Sequence, residues 1–433
     1  MSFKRKLPSS TTSYPGTRPC PSAPSILISS SGIPSLDDVL GGGIPLSHSL
    51  LVLSPDPYSA YASLVHKYFI AQGLISSHQV CVVDPHAKQL VDSCMWVRGT
   101  LGPSSSTADD EQEADRGDKI KIAWRYESMR QFETTVSHSQ AEEEYCRPFE
   151  LTQQIPPHIV DKVSESGQLS LIWDHSTQGI SRLQSILQRI DDVLSRTRAE
   201  HSKATTVPPV RISIPSLASP HWGDLDPSTI LRFLQSLKRL LRQYSFACAM
   251  ISLPAHLSRD SVEEGWIRKL AWLSDSCVSF AAFSGDPSLE DLFPRHHGLF
   301  HIHRLPTPHS LVPPSDRFSQ LRGIANSANG GGGENNLAFK STRKRLVIET
   351  LHLDVDGGIS ERRTAPAAMS TDVVTPRPAR FPEEPKPEPY AQIGVELAGA
   401  VGVANGDSAK SDRPKKAKKK VVFHAEKPEL YDF

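Results

Sequence analysis

A short motif near the amino terminus constrains the fold of this chain more than any other feature. It begins at Pro34, which suits the first turn of a helix because its missing N–H needs no partner there. Three glycines follow at 41–43, and glycine tolerates the left-handed backbone that ends a helix. The apolar run at 49–53 is too short for a helix and predicts a strand buried on both faces. This spacing predicts the entry to an α/β domain.

The loop after this strand decides whether the domain can bind a nucleotide. A phosphate-binding loop needs glycines where its backbone approaches phosphate, a lysine for the phosphate charge and a hydroxyl for magnesium. The four corresponding positions lack these groups and are occupied by Ser54, Ser59, Ala60 and Tyr61. In addition, Pro55 and Pro57 remove two amide donors, and Asp56 adds a charge of the same sign as phosphate. We therefore predict a degenerate loop that binds no nucleotide.

The rest of the central region alternates between short apolar runs and amphipathic helices. Two such helices are predicted at 180–200 and 226–241, each with its apolar residues on one face. Further apolar runs have the length and character of buried strands, at residues 80–83, 169–173, 210–217, 246–253, 278–283 and 299–305. Strand after helix after strand predicts an α/β fold with a mostly parallel sheet and helices on both faces.

This order of elements resembles the RecA-type ATPase core, especially its KaiC-like branch. In that fold, the strand corresponding to the run at 210–217 ends in a carboxylate, usually Asp followed by Ser, which holds magnesium and its water. Here Pro215 occupies the acidic position, and a proline at a strand end cannot bind a metal. The lysine missing at Ala60 and the carboxylate missing at Pro215 are independent losses. The resemblance therefore predicts a RecA-like fold whose nucleotide-binding motifs, the Walker motifs, are degenerate.

Other polar residues offer no better catalytic site. Asp84 follows a predicted strand, near the place where active RecA-like enzymes keep a glutamate, and we interpret it as a turn residue. The run Asp-His-Ser at 174–176 cannot form a catalytic triad, because consecutive side chains do not converge. His301 and His303 share one strand face, which would permit a metal pair, but no third ligand recurs at a useful spacing. We expect no catalytic residue and no metal site.

Composition narrows the class of protein and its compartment. Lys plus Arg equals Asp plus Glu at 48 each, so net charge indicates no particular partner. Six scattered cysteines are typical of reduced thiols in a cytosolic or nuclear protein, and their spacing fits neither a disulfide framework nor a zinc site. No apolar run approaches the roughly 18 residues of a membrane span, and the amino terminus has no signal-peptide core. We expect no membrane partner.

Proline-rich and charged stretches predict how the 433 residues divide into domains. Many of the 35 prolines lie near the two ends, which favours disordered tails there. The predicted parts are a disordered leader at 1–24, a RecA-like domain at 25–364 with insertions near 99–118 and 325–336, a disordered linker at 365–412 and a basic tail at 413–433. Such a tail is usually a solvated run or an import signal and less often a nucleic-acid arm.

A second basic segment lies inside the predicted domain. Residues 339–353 predict one basic strand that turns at Asp356 and Gly357, next to a flexible glycine-rich loop at 330–333. Its four cations are Lys340, Arg343, Lys344 and Arg345. Positive side chains beside a mobile loop are suited to RNA phosphates, and a solvated strand face is an equally good interpretation.

Several blocks of the sequence resemble the family of the fourth subunit of the Elongator complex. The resemblance covers roughly residues 25–364, and the later blocks make it specific, since many RecA-like proteins share the entry motif. The blocks that carry it lie at 31–53, 119–126 (a predicted strand), 211–217, 246–256, 266–286 and 335–363.

The resemblance implies a non-catalytic RecA-like subunit that forms a heterohexameric ring with sister subunits five and six. Such a ring is an accessory module of the Elongator catalytic core, binds tRNA and supports carboxymethyl-type modification of wobble uridine. No cofactor is expected on this chain alone, ATP is expected only at ring interfaces, and the implied location is both cytoplasmic and nuclear. The chain has no cysteine cluster for the iron–sulfur chemistry of the catalytic subunit.

An alternative function belongs to a different class. The chain would then be an ATPase or recombinase-like enzyme with an unorthodox nucleotide site shared between subunits. The lysine missing at Ala60 and the carboxylate missing at Pro215 count against this alternative.

Overall fold

A nine-stranded sheet runs through the middle of the molecule. The structure, a computed structural model, describes residues 14–97, 144–175, 179–202, 204, 206–260, 262, 264–322 and 337–351. All of these belong to one unit, Met1–Gly357, whereas a second unit, Gly358–Phe433, lies outside the described residues.

The elements of the described residues follow each other in a largely alternating order. The strands are β1 (Thr17–Pro19), β2 (Leu27–Ser29), β3 (Ile44–Pro45), β4 (Ser49–Leu53), β5 (Gln79–Val83), β6 (Met95–Val97), β7 (Phe149–Gln154), β8 (Leu169–Ile172), β9 (Val210–Ile214), β10 (Ala247–Ser252), β11 (Ser276–Ala282), β12 (Gly298–Arg304), β13 (Leu337–Ser341) and β14 (Leu346–Thr350). The helices are α1 (Pro34–Val39), α2 (Tyr61–Ile75), α3 (Ala87–Asp92), α4 (Pro157–Glu165), α5 (Gly179–Glu200), α6 (Pro227–Gln243), α7 (Trp266–Leu273), α8 (Pro287–Leu292) and α9 (Ser315–Phe318). Among these helices none is long and apolar enough to cross a membrane.

The large sheet is mixed, and most of its strands are parallel. Its strand order is β14-β13-β12-β11-β4-β10-β9-β5-β8. The six strands from β11 to β8 pair in parallel, and β12, β13 and β14 add an antiparallel edge. The chain leaves β4 towards β5 on one side and later places β11 on the other side, so the strand order reverses at β4. In open α/β sheets this reversal point is where ligands bind.

Helices cover both faces of this sheet. Successive side chains of a strand point to opposite faces, so Leu50 and Val52 of β4 join one apolar core, whereas Leu51 and Leu53 join the other. The first core contains buried residues of α1 to α4, and the second contains buried residues of α5, α6 and α7. The predicted α/β class with a mostly parallel sheet and helices on both faces is confirmed, and the arrangement is consistent with a RecA-like fold.

The predicted leader at 1–24 extends too far into the chain. Strand β1 pairs with β2, and β2 pairs with β3, in a small antiparallel sheet. The Arg18 guanidinium lies 4.1 Å from the Tyr145 ring centroid and donates a hydrogen bond to the Gly42 carbonyl (3.0 Å). No local pattern indicated this strand, because its partners lie farther along the chain. The remaining predicted boundaries, the insertions near 99–118 and 325–336, the linker, the basic tail and the strand at 119–126 lie outside the described residues.

A buried arginine connects this small sheet to the large one. Arg211 of β9 is fully buried, and its Nε donates to Nδ1 of His78 (2.9 Å). Its other nitrogens donate to the Ser29 hydroxyl (2.6 Å) and the Phe69 carbonyl (3.1 Å). His78 Nε2 in turn donates to the Pro15 carbonyl (2.7 Å), since its Nδ1 is the acceptor. Burial, reinforced by the Arg211 charge, lowers the pKa of His78 to about 3, so this histidine is neutral.

Candidate functional site

The loop between β4 and α2 lies where the strand order reverses. β10 and β11 flank β4, so residues 54–60 occupy the crevice at the carboxyl ends of three parallel strands. A nucleotide-binding protein of this class would present backbone N–H groups to phosphate at this place, at the amino terminus of the following helix. The direction of the loop's own hydrogen bonds therefore decides what it can bind.

Asp56 occupies the loop from within. Its side chain is buried, Oδ1 accepts the Tyr58 N–H (2.9 Å), and Oδ2 accepts the Ser284 hydroxyl (2.5 Å). The Ser59 N–H donates to the Asp56 carbonyl (3.3 Å), and the Ser54 hydroxyl donates to that of Ser59 (3.1 Å). The sequence indicated only that this carboxylate would repel phosphate. In the structure it also accepts a backbone hydrogen bond of the kind that a phosphate would accept.

The residues at the positions of the missing lysine and hydroxyl, Ala60 and Tyr61, supply neither the phosphate-binding lysine nor the magnesium-binding Ser or Thr hydroxyl. Ala60 is exposed and carries no charge. The Tyr61 ring packs edge-on against Phe339, with ring centroids 4.6 Å apart, and its partial burial raises the pKa of the phenol. Arg259 reaches the loop from outside, where its Nε donates to the Pro55 carbonyl (2.6 Å). The loop therefore closes on protein groups.

The second degenerate position also has a structural role. Pro215 follows β9, is half-buried, and its carbonyl accepts the hydroxyl of Ser252 at the end of β10. Asp84, at the end of β5, accepts the His86 N–H on Oδ1 (2.7 Å), while its carbonyl accepts the Ala87 N–H (3.2 Å). Partial burial raises the pKa of this carboxyl. These contacts are those of a turn residue, as predicted for Asp84.

The other polar clusters are structural where the structure describes them. Asp174 is buried and accepts a hydrogen bond from the Ser185 hydroxyl (2.6 Å). Ser176, the last residue of the Asp-His-Ser run, lies outside the described residues. His303 Nε2 lies 3.0 Å from the Ser279 hydroxyl on the strand face that His301 shares. Within the described part of the chain, no group of His, Cys, Asp and Glu side chains is arranged to hold a metal ion.

The basic segment is a hairpin, so the predicted single strand at 339–353 is wrong. β13 and β14 pair antiparallel, with Ser341 opposite Leu346. Between them the Thr342 N–H donates to the Arg345 carbonyl (2.8 Å), and the Arg345 N–H donates to the Thr342 hydroxyl (3.1 Å). Sequence reasoning missed the turn because Arg343 and Lys344 stand where glycine or asparagine usually marks a hairpin.

The structure brings three of the four predicted RNA-contact residues to the tip of this hairpin. Arg343 and Arg345 are exposed, and Lys344 lies between them. Lys340 lies on β13 and pairs with Glu349 of β14, with Nζ 2.7 Å from Oε2. The hairpin tip, residues 342–345, therefore presents the guanidinium groups of Arg343 and Arg345 to solvent, whereas Lys340 is engaged within the hairpin.

Arg147 belongs to the same surface, and sequence reasoning missed it. Arg147 and Arg345 are both exposed and line a cavity of 80 Å³ together with Tyr68. The Leu151 N–H donates to the Lys344 carbonyl (2.8 Å), which fixes β7 against the hairpin tip. Nearly two hundred residues separate the two arginines, so no local pattern could have paired them.

Comparison with known proteins identifies the family. A family model described as PAXNEB protein matches residues 10–376. Elongator complex protein 4 of Xenopus laevis is 30% identical over 386 residues, which cover 82% of this chain and 86% of that protein. Elongator complex protein 4 of Homo sapiens is 27% identical, with 79% of this chain and 80% of that protein covered. Elongator complex protein 4 of Schizosaccharomyces pombe is 28% identical, with 81% of this chain and 91% of that protein covered. Because the family model spans most of the chain and these relatives share one name, the chain belongs to the PAXNEB family of Elongator complex protein 4 sequences.

Proposed function

We propose that this protein is a non-catalytic RecA-like subunit of the Elongator complex, assembled with subunits five and six into a heterohexameric ring. The observation that carries the non-catalytic role is the Asp56 carboxylate, which occupies the loop where a nucleotide would bind. Pro215 supports it independently, because no carboxylate is available at that strand end for magnesium. Membership of the Elongator complex protein 4 family supports the assembly.

The role proposed for the ring is to bind tRNA and to support the carboxymethyl-type modification of wobble uridine. Arg147, Arg343 and Arg345 support this role, because exposed guanidinium groups around one hairpin tip are suited to backbone phosphates. The modification chemistry then belongs to the catalytic core of the complex. ATP is expected at interfaces of the assembled ring, and the complex is expected in cytoplasm and nucleus.

The proposal is tested by co-expressing the full chain with subunits five and six. We expect all three to co-purify as one hexamer in native mass spectrometry, with and without ATP, and the assembly to retain tRNA on a native gel. A stable monomer that ignores both sister subunits would contradict the assembly. A hexamer that binds no tRNA would contradict the RNA role alone.

A further inference from the structure

Trp272 is an exposed aromatic residue on a rigid helix end. It is 74% exposed, whereas Trp266, at the start of the same helix α7, is fully buried. Arg304 of β12 donates from Nη1 to the carbonyls of Ala271 (3.0 Å) and Trp272 (2.9 Å), which fixes the last turn of α7. Tryptophan is among the residue types enriched at the energetic centres of binding surfaces.

Trp272 borders a groove between α7 and β12. The groove has a volume of 710 Å³, within the range of sites that hold nucleotide-sized ligands. Arg268 precedes Trp272 by four residues, so both side chains project from the same side of the helix. Ile302 and His303 line the opposite wall, and partial burial lowers the pKa of His303, which favours its neutral form. One carboxylate, that of Asp260, also lines the groove, and its Oδ1 accepts a backbone N–H at the start of α7 (2.9 Å).

Helix α7, which lines this groove, and helix α6, which packs against α7, are both basic. α6 and α7 together carry six Arg and Lys residues and no Asp or Glu, namely Arg232, Lys238, Arg239, Arg242, Arg268 and Lys269. Asp275 pairs with Lys238 and Arg242 at 3.0 and 2.7 Å. Arg232, Arg239 and Arg268 are exposed. Arg268 at the groove and the exposed arginines of the neighbouring helix α6 therefore favour an anionic ligand over a cationic one.

We propose that Trp272 and Arg268 form a stacking site for an unpaired base of RNA, with the exposed arginines of α6 and α7 along its phosphate backbone. The inference rests on the proposed RNA-binding role and extends it to a second surface. Helix α7 packs on the second core with α5 and α6, whereas Tyr68 and Leu346 beside the hairpin tip belong to the first core. Ile302, on the far wall of the groove, packs against the first core, so the groove lies where the two cores meet at the β12 edge. Every base has a π-face, so an indole platform binds unpaired bases with little sequence preference, and cations alongside it hold the backbone.

The test uses the complex with subunits five and six and two RNA probes, a single-stranded oligonucleotide and a fully paired duplex. Trp272→Ala is expected to weaken binding of the single strand about tenfold and to leave duplex binding unchanged. Trp272→Phe is expected to retain most of the affinity but to lose the tryptophan emission that the single strand quenches in the unchanged protein. Arg268→Ala is expected to weaken binding less than Trp272→Ala does. Tyr58→Ala is the matched control, because Tyr58 is 81% exposed and lies on a different surface.

Equal affinity of the Trp272→Ala and unchanged complexes for the single strand would overturn the inference. So would a Trp272→Ala chain that no longer assembles, since Trp272 would then anchor a protein partner. A wild-type complex that binds neither probe nor tRNA would overturn the proposed RNA role itself. If the complex binds tRNA and the Trp272→Ala substitution leaves its affinity for the single strand unchanged, only this stacking site would be overturned.

Discussion

Two loops of the same sheet differ in where their polar groups are directed: one bonds them within the loop, and the other leaves them in solvent. In the loop at 54–60, the N–H groups of Tyr58 and Ser59 donate to Asp56 of the same loop. The hairpin tip at 342–345 satisfies its backbone through Thr342 and leaves the Arg343 and Arg345 side chains in solvent. The first loop occupies the place where ligands usually bind in this architecture and is closed, whereas the second lies on an edge hairpin and is open. We infer that the direction of a loop's free donors, and not its position in the fold, decides which of these two loops can bind an anion.

Both loops are attached to the same helix. α2 begins directly after the closed loop, and the hydroxyl of its Tyr68 accepts the N–H of Leu346, the residue that follows the hairpin tip (3.2 Å). Between these two points lies His66, which is fully buried, with Nδ1 2.8 Å from the Ser213 hydroxyl. Helix α2, with His66 on it and His78 bonded to its last turn, is therefore a shared frame for the two loops.

The largest expected effect is on the shared frame, through pH. Burial lowers the pKa of His66 to about 3 and that of His78 to about 3, whereas both titrate near 6.5 when unfolded. The unfolded chain therefore binds more protons between these values, and each histidine removes up to about 1.4 kcal/mol of stability per pH unit as pH falls from 6.5. Burial raises the pKa of Asp37 to about 6, so below pH 6 this carboxyl offsets one of the two.

We expect the free energy of unfolding to decrease between pH 7 and pH 5. The measurement is denaturant unfolding of the purified complex at several pH values. His66→Gln and His78→Gln are each expected to reduce the slope by about one proton, whatever they do to stability at pH 7. A stability that is flat over this range would show that the two histidines are not neutral in the folded protein.

The next effect concerns the open loop. Replacing Lys340, Arg343, Lys344 and Arg345 together by Gln is expected to weaken binding of every tRNA alike, by at least about tenfold at 0.1 M salt. The slope of log K against log salt should flatten by roughly 0.7–0.9 per lost phosphate contact. Among single restorations of the four cations, that of Lys340 should recover the least tRNA affinity, because Lys340 pairs with Glu349. An unchanged salt slope in the assembled ring would assign these residues to folding or packing.

A smaller effect is expected from the closed loop. Asp56→Ala removes the acceptor of the Tyr58 N–H and the Ser284 hydroxyl, which should cost about 1–2 kcal/mol of stability. Asp56→Asn keeps an acceptor oxygen and should recover most of this loss. Thermal unfolding of the complex measures both variants, and tRNA affinity should be the same for all three proteins. A loss of tRNA binding in Asp56→Ala would remove the distinction between the two loops.

The smallest measurable change is expected at Arg147. Arg147→Gln should weaken tRNA binding about threefold and lower the salt slope by less than one contact, because Arg345 remains beside it. Arg196→Gln, at an exposed arginine of α5 on the opposite face, is the matched control and should have no effect on the hairpin contribution. Equal effects of the two substitutions would show a diffuse charge effect instead of a defined surface.

The features that could be predicted from the sequence are those that depend on neighbouring residues. The strand at 49–53, the degenerate loop and the capped helix after Asp226 follow from neighbouring residues, and the structure has all three. The resemblance to the family of the fourth Elongator subunit is confirmed in the same way, since it depends on motifs. Arg211 and its partners could not be predicted, because a buried arginine on a strand is explained only by the Ser29 and His78 groups that surround it.

The site was predicted less completely than the fold. The degenerate positions at Ala60 and Pro215 were evident from residue type, but the inward turn of Asp56 depends on Ser284, which is far along the chain. The hairpin turn lacked its usual residues, and Arg147 joins Arg345 only through tertiary packing. Such features arise from contacts between distant residues, which a single sequence does not record.

The central claim is that the loop at 54–60 and the end of β9 cannot support ATP hydrolysis. A variant in which the missing loop residues are restored tests this claim most directly. The repair is Ser54→Gly, Ser59→Gly, Ala60→Lys and Tyr61→Thr in one protein. Pro55 and Pro57 would still withhold amides, Asp56 would still fill the loop, and Pro215 would still offer magnesium no carboxylate.

The measurement is magnesium-dependent ATP hydrolysis by the repaired chain without its sister subunits. We expect weak ATP binding at most and no turnover above the background of the unrepaired chain. Magnesium-dependent turnover by the repaired chain alone would contradict the account, because Pro215 would then not stand at the metal-binding position.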